Sequence, residues 1–144
     1  MLTQSPLQPV TVLAPITREE CMRLLAATSV GRVVAASPGA PPLIRPVVYT
    51  FDDATQSIVF RSAEGSKLAS LLGADRVAFE IDGVDPVDQL GWSVIVTGPV
   101  EEITASAERA RADRVGPRPW VTGHLAHLLR IRPTVVSGRR IVRG

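Results

Sequence analysis

The sequence is poor in lysine, cysteine and aromatic residues, and these shortages exclude or disfavour particular structures and functions. Lys67 is the only lysine among 16 cationic side chains. The single cysteine, Cys21, excludes an internal disulfide and fits a reducing compartment, so we expect a cytoplasmic protein. Aromatic residues make up only 4% of the chain, whereas nucleic-acid-binding surfaces interleave basic and aromatic side chains. For that reason we expect no nucleic acid as a partner. No apolar run approaches the roughly 20 residues that cross a bilayer, so we expect no membrane as a partner either.

The hydrophobic content is high for so small a chain. Of the 144 residues 45% are hydrophobic, and the mean hydropathy is +0.18. This length predicts one domain, and the apolar excess predicts a large core or a subunit interface. Residues 1–16 contain several prolines, little periodicity and no signal-peptide pattern. We therefore expect an extended N-terminal arm over residues 1–16, followed by a single domain over residues 17–144.

Most of the chain after residue 30 has the alternation and turn signals of short β-strands. Before them, Thr17 and Glu20 have capping-box spacing, which predicts a short amphipathic helix with Cys21 as a buried structural thiol. Short links favour antiparallel pairing, so we predict a mainly β protein with small helices, a six- to seven-stranded antiparallel β-barrel. The expected strands cover 30–37, 43–51, 57–62, 75–82 and 92–103 (bent at Gly98-Pro99), with two more in AHLLRIRP and TVVSGRRIV; helices are expected over 66–72 and 106–115, and a loop over 83–91.

The lone lysine lies where a helix is predicted to begin, in the segment VFRSAEGSKLASLL. A helix N-terminus carries partial positive charge and free N–H groups, so Lys67 is unfavourable there unless an anion is nearby. Gly65 lets a ligand approach the backbone, and the hydroxyl of Ser66 adds a donor. Phosphate is the anion that suits such donors. The alternative is a solvated Lys67 screened by Glu64, with Ser66 only capping the helix; the spacing is not that of a Walker A loop.

Metal ligands and a catalytic pair are not evident in the sequence. His124 and His127 are three residues apart, which is more typical of a helix start or a loop than of a ligand set, and no cysteine or histidine grouping has zinc spacing. We expect no metal. There is also no nucleophile–base pair and no isolated carboxylate pair. Such a sequence suits an enzyme whose cofactor performs the chemistry while the protein binds and orients it.

Six segments together resemble the pyridoxamine 5′-phosphate oxidase-like, FMN-binding split-barrel proteins, in particular their small actinobacterial-type members. The segments are GRVVAA, RPVVYTF, IVFRSAEGSKL, VAFEID, GWSVIVTGPVEEI and RIRPTVVSGRRI, and the resemblance as a whole covers roughly residues 17–142. The resemblance implies a split β-barrel that forms a homodimer with two flavin sites at the subunit interface. It also implies a flavin-dependent oxidoreductase that acts on an unknown small molecule, with FMN as the cofactor.

The resemblance also implies a set of cofactor-binding residues. One strand would lie along the isoalloxazine ring, a turn would bind the phosphate, and a later strand would meet the flavin of the neighbouring chain. Since Arg45 and Arg61 lie on consecutive predicted strands, we expect these two cations to approach each other and to share an anion. The implied residues are Arg45, Pro46, Val47 and Val48 at the ring, Arg61, Ser62, Ser66 and Lys67 at the phosphate, Trp92 and Ser93 from the partner, and Trp120 in a covering loop.

Two alternatives share this fold. A deazaflavin-dependent reductase would need a broader basic groove for the acidic tail of its cofactor, and Arg32, Arg76 and Arg130 are cations without another predicted role. The second alternative is a flavin- or haem-binding carrier without turnover. Vitamin B6 oxidation itself is disfavoured, because the chain lacks the additional basic and tyrosine residues with which the longer oxidases hold their substrate phosphate.

Overall fold

The computed structural model describes residues 10–63, 65–118 and 127–144. In this part of the chain nine strands form one antiparallel sheet, and three short helices lie around it. No described helix has the length and apolarity to cross a membrane. The elements are β1 (Thr11–Ile16), α1 (Arg18–Ala27), β2 (Val30–Ala35), β3 (Leu43–Asp52), β4 (Ser57–Ser62), α2 (Ser66–Leu72), β5 (Val77–Asp85), β6 (Leu90–Gly98), β7 (Val100–Glu102), α3 (Ser106–Val115), β8 (His127–Ile131) and β9 (Val135–Arg143).

The sheet curls on itself because one continuous stretch of chain, Leu90 to Glu102, pairs with strands towards opposite ends of the strand order. The strand order is β1-β9-β6-β5-β2-β3-β4-β8-β7. Since β7 follows β6 after the single residue Pro99, the same stretch pairs with β5 and β9 through β6 and with β8 through β7. The prediction of a mainly β, antiparallel, barrel-like fold is confirmed, as is the bend at Gly98-Pro99.

Gly98 allows the chain to cross closely at this bend. A Cβ atom at residue 98 would lie 1.9 Å from the carbonyl oxygen of Arg132. Around the crossing, the Arg132 amide donates to the Pro99 carbonyl at 3.1 Å, and the Thr134 amide donates to the Thr97 carbonyl at 2.9 Å. Only glycine fits between backbones at this distance, so the residue type here decides where the sheet turns.

The main core lies between the curled sheet and α1. On β5 the alternation is as predicted, with Val77, Phe79 and Ile81 buried. Thr17 caps α1, since its hydroxyl accepts from the Glu20 amide at 3.2 Å. Cys21 is fully buried in this core, as expected, and burial raises the pKa of its thiol.

A second, smaller cluster lies on the other side of β4. Val59, Ile103, Ala112 and Leu128 form it, and α3 contributes Ala112. Because β4 is covered on both faces, its residues Ser57 to Phe60 are all buried rather than alternating. The polar helix α3 therefore covers an outer face of the barrel instead of lying free on the surface.

The structure differs from the sequence-based expectation in the number and length of strands. Nine strands replace the expected six to seven, because the bend divides β6 from β7 and because Thr11–Ile16, expected in an arm, pairs along its whole length with β9. Most of the expected loop over 83–91 also belongs to β5 and β6, which pair from Val77↔Gly98 to Asp85↔Leu90. Glycine and aspartate in that stretch predicted a loop, but cross-strand pairing overrides such local preferences.

Candidate functional site

The predicted phosphate-binding segment lies where β4 ends and α2 begins. Gly65 has φ +137°, a conformation that favours glycine. No atom of the described residues lies within 4 Å of the position that a Cβ atom would take there, so the backbone has no described neighbour on that side. Just before it, the Ser62 side chain is 1% exposed and its hydroxyl donates to the Ala63 carbonyl at 3.1 Å. The segment thus combines a buried hydroxyl with an open backbone turn.

Ser66 and Lys67 occupy the first turn of α2, which begins at Ser66 as the sequence predicts. No side-chain hydrogen bond caps this helix, and its N-cap residue is Gly65. The Ser66 and Lys67 side chains lie outside the described part of the structure. Their role in binding an anion stays a prediction from the sequence.

Arg61 is bonded to α3 and to the residues that follow it. Its Nε donates to the Pro117 carbonyl at 3.0 Å, and its Nη2 donates to Oδ1 of Asp113 at 3.0 Å. The Arg61 side chain is 19% exposed. The sequence offered no signal for these partners, because Asp113 is one of several charged residues on a polar helix.

The β3 residues implied at the flavin ring lie on both faces of their strand. Val47 is buried in the core. Arg45 lies two residues earlier, at the exposed start of β3, and therefore points to the same face as Val47. Its Nη1 donates to the Ile44 carbonyl at 3.1 Å. Pro46 and Val48 point to the other face. The pairing Tyr49↔Phe60 places Arg61 on that other face too. Arg45 and Arg61 therefore leave the sheet on opposite faces, and the structure does not bring them together as the sequence suggested.

Trp92 and Ser93 also point to opposite faces of the sheet. The Trp92 indole packs partly against the core and covers Gly83, where a Cβ atom would lie 2.6 Å from the indole nitrogen. Ser93 pairs with Arg139 across the sheet. Together with Leu13 it lines an open pocket of about 400 Å³ on the outer face. Trp120, the last residue implied by the resemblance, lies outside the described residues.

Comparison with known proteins identifies the family. The sequence profile of the pyridoxamine 5′-phosphate oxidase family matches residues 17–140. The chain belongs to this family.

Family relatives share both sequence and fold with this chain. The uncharacterized protein Rv0080 of Mycobacterium tuberculosis is 38% identical over 130 residues, which cover 88% of this chain and 84% of that protein. An FAD-binding protein from Mycobacterium smegmatis is 32% identical, with a TM-score of 0.75, and covers 91% of this chain and 100% of its own. An FAD-binding protein from Mesorhizobium loti is 25% identical, with a TM-score of 0.71 and coverage of 93% and 100%.

One pair of side chains close to the predicted phosphate-binding segment was not predicted from the sequence. His127 lies in the expected strand AHLLRIRP and begins β8 directly opposite Ser62, and its Nδ1 contacts the Glu102 carboxylate. Among the described residues no histidine, cysteine and carboxylate group forms a metal site. The pair brings a titratable ring to the end of β4 that carries the predicted phosphate segment. Its sequence separation of 25 residues explains why no local pattern revealed it.

Proposed function

We propose that this protein binds a flavin nucleotide and acts as a flavin-dependent oxidoreductase on a small molecule. The observation that carries the proposal is the likeness to the FAD-binding protein from Mycobacterium smegmatis, at 32% identity over 91% of this chain. A bound flavin would supply hydride or electron transfer. The chain itself then needs to bind, orient and shield the cofactor, which agrees with a site that lacks a nucleophile and its base.

The donor set at the end of β4 fits the phosphate of such a cofactor. The backbone at Gly65 is open to a ligand, since no atom of the described residues lies within 4 Å of the position of a Cβ atom there. Lys67 would supply charge, and the hydroxyl of Ser66 is a suitable hydrogen-bond donor. The buried hydroxyl of Ser62 already donates to the Ala63 carbonyl, so Ser62 shapes the turn rather than binding the phosphate. Arg45, at the exposed start of β3, would add a second cation. The apolar outer side of β3, with Pro46 and Val48, offers a surface against which a flat ring would pack.

The outer face of the sheet supports a homodimer. Four large apolar side chains are exposed there on the neighbouring strands β1, β9, β6 and β5. The helices α1 and α3 do not cover them. Cys21 of α1 lies beside Gly138 on the inner face, and α3 covers β4 and β8. Exposed apolar side chains that share one face of a sheet are typical of an interaction surface. We propose that two chains pair through this face and that each flavin lies between them. The four side chains are Leu13 at 64% exposure, Val84 at 76%, Ile95 at 46% and Val135 at 55%.

Charge pairing favours a flavin over a deazaflavin with an acidic tail. Arg32 lies 3.3 Å from Oε1 of Glu80 and 3.4 Å from Oδ1 of Asp82. Arg130 is only 8% exposed and its Nη2 lies 2.6 Å from Oε2 of Glu108. Two of the three arginines considered for a broad basic groove are thus already neutralised by carboxylates, which leaves them poorly suited to an anionic tail.

The cofactor is tested on the protein as purified. We expect flavin absorbance after purification, or binding of added flavin in the micromolar range, by titration with FMN, FAD and a deazaflavin in parallel. Because the two related proteins compared above bind FAD, FAD is titrated beside the FMN that the motifs imply. No binding of any flavin at micromolar concentration contradicts the proposal. Preference for the deazaflavin would assign the chain to the deazaflavin-dependent reductases instead.

Turnover is tested separately from binding. With flavin bound, we expect reduction of the cofactor by a nicotinamide donor and reoxidation by dioxygen or another acceptor, followed by its absorbance. Persistent inactivity with flavin bound would favour a carrier or sensor over an enzyme.

A further inference from the structure

The guanidinium of Arg61 is held along one edge by two acceptors from the end of α3. Nε donates to the carbonyl of Pro117 and Nη2 donates to Oδ1 of Asp113, both at 3.0 Å. Pro117 is buried, and Arg61 is four-fifths buried. A planar guanidinium bound at two points along one edge has a fixed orientation. Arg61 is thus an ordered connection between β4 and the chain that follows α3.

The face on which Arg61 leaves β4 separates it from Ser62, one of the residues predicted to bind phosphate. Val59 and Arg61 point towards α3, whereas Phe60 and Ser62 point towards the main core. Ser62 therefore cannot donate on the same side as Arg61 within the strand. An anion that approached Arg61 would also meet the carboxylate of Asp113, which repels it.

Both ends of the connection from α3 to β8 meet the same end of β4. Pro117, two residues after α3, is bonded to Arg61. His127, the first residue of β8, pairs with Ser62, the next residue along β4. Arg61 and Ser62 precede Gly65 by four and three residues. The position of α3 and the position of the predicted phosphate segment are therefore set at adjacent residues.

We propose that Arg61 and Asp113 are positioning residues for the flavin site. Together they hold the end of α3 and Pro117 against the end of β4. They affect the binding of the whole flavin because they fix the shape of its site. Arg61 is not a ligand of the phosphate. The inference rests on the proposed flavin binding and replaces the role that the resemblance implied for Arg61.

The test compares FMN with riboflavin, which lacks the phosphate, in Arg61→Gln, Asp113→Asn and the double variant. Each single variant is expected to weaken binding of both flavins about three- to tenfold, the cost of ordering one or two released side chains. The ratio of the two affinities stays within about twofold of the wild-type ratio. Because the residues act as one unit, the double variant is expected to bind no more weakly than the weaker single variant. Lys67→Ala is the matched control and lowers affinity for FMN only.

Three results would overturn the inference. A loss of FMN affinity alone in Arg61→Gln would make Arg61 a phosphate ligand. Unchanged affinity for both flavins with a lower Tm would make the pair merely structural. A wild-type protein that binds neither flavin would overturn the proposed function as well, so the two failures are distinguishable. The Asp113 side chain is 51% exposed, so Asp113→Asn keeps the test valid even if Arg61→Gln does not fold.

Discussion

Arg111 and Asp52 form a two-point ion pair that joins α3 to the end of β3. Nη1 of Arg111 donates to Oδ2 of Asp52 at 2.9 Å, and Nη2 donates to Oδ1 at 2.8 Å. The Asp52 side chain is 10% exposed and also accepts from the Ala54 amide at 3.1 Å. Since Arg61–Asp113 and Arg130–Glu108 also reach α3, ion pairs on three of its side chains attach this polar helix to the described part of the barrel.

Replacing Arg111 with alanine is expected to lower the free energy of unfolding by about 1–2 kcal/mol. The change leaves the Asp52 carboxylate with little water and without its cation, and the partial exposure of Arg111 limits the loss. Chemical denaturation checks this. Arg143→Ala is the control, because Arg143 and its partner Asp88 are both more than half exposed and such pairs contribute little. Equal effects of the two substitutions would contradict the prediction.

Gly98→Ala is expected to cost at least about 3 kcal/mol of stability, because its methyl group would collide with a backbone carbonyl that cannot rotate away. Gly83→Ala is the matched control. There the added methyl meets the Trp92 side chain, 2.6 Å away, which is able to shift. We expect about 1 kcal/mol for Gly83→Ala, with a change in Trp92 fluorescence. A milder effect at Gly98 than at Gly83 would refute the close crossing at the bend.

Glu80 is expected to make stability depend on pH. Burial raises the pKa of its carboxyl, and the neighbouring Asp82 adds to the rise, while Arg32 opposes it. The folded protein then binds the Glu80 proton more tightly than the unfolded chain does. The Glu80 contribution to the free energy of unfolding therefore falls as pH rises from the ordinary value, 4.5, through the raised one.

Denaturation of the wild type and Glu80→Gln at several pH values between 4 and 7 isolates the contribution of Glu80 together with its interaction with Asp82, since the carboxyls that do not face Glu80 titrate equally in both. We expect the stability of the wild type relative to the variant to decrease as pH rises. A difference that stays constant, or increases with pH, would contradict the raised pKa.

Lys67→Ala is expected to weaken FMN binding roughly 10- to 100-fold, the loss of one charge-assisted hydrogen bond to phosphate. Stability should hardly change, because a cation in the first turn of a helix is slightly unfavourable on its own. Isothermal calorimetry and thermal melting give the two quantities. Arg76→Ala, an exposed site just beyond α2, controls for the change in net charge. Equal losses in binding and folding would instead support a solvated lysine.

Ile95→Arg is expected to produce monomers. Ile95 is 46% exposed in the middle of the outer face proposed to pair, and a charge buried there without a partner opposes association. Sedimentation at micromolar concentration should give twice the 15.4 kDa chain mass for the wild type and the single mass for the variant. Val87→Arg is the control, in the turn between β5 and β6 at 89% exposure. A monomeric wild type would remove the basis of the dimer.

Local patterns predicted the elements that depend on neighbouring residues. The capping of α1 by Thr17, the start of α2 at Ser66 and the buried alternation of β5 all appear as the sequence indicated. So does the bend after Gly98, since proline and glycine restrict and permit backbone conformations locally. The family itself could also be identified from the order of six short segments.

The side-chain partners could not be predicted in the same way. The expectation that Arg45 and Arg61 share an anion rested on consecutive strands, yet the pairing register places them on opposite faces. Arg61 instead finds Asp113, 52 residues away. A shift of one residue in register exchanges the faces of a strand, and register is set by packing across the sheet rather than by the strand itself.

The sequence alone determined that this chain would form a small antiparallel β-barrel, because apolar alternation, capping and glycine placement act over a few residues. The tertiary structure decided that residues 11–16 would extend the sheet, that α3 would be attached by ion pairs and that Arg61 would face Asp113. These contacts join residues far apart in the chain, and only the closure of the sheet brings them within bonding distance.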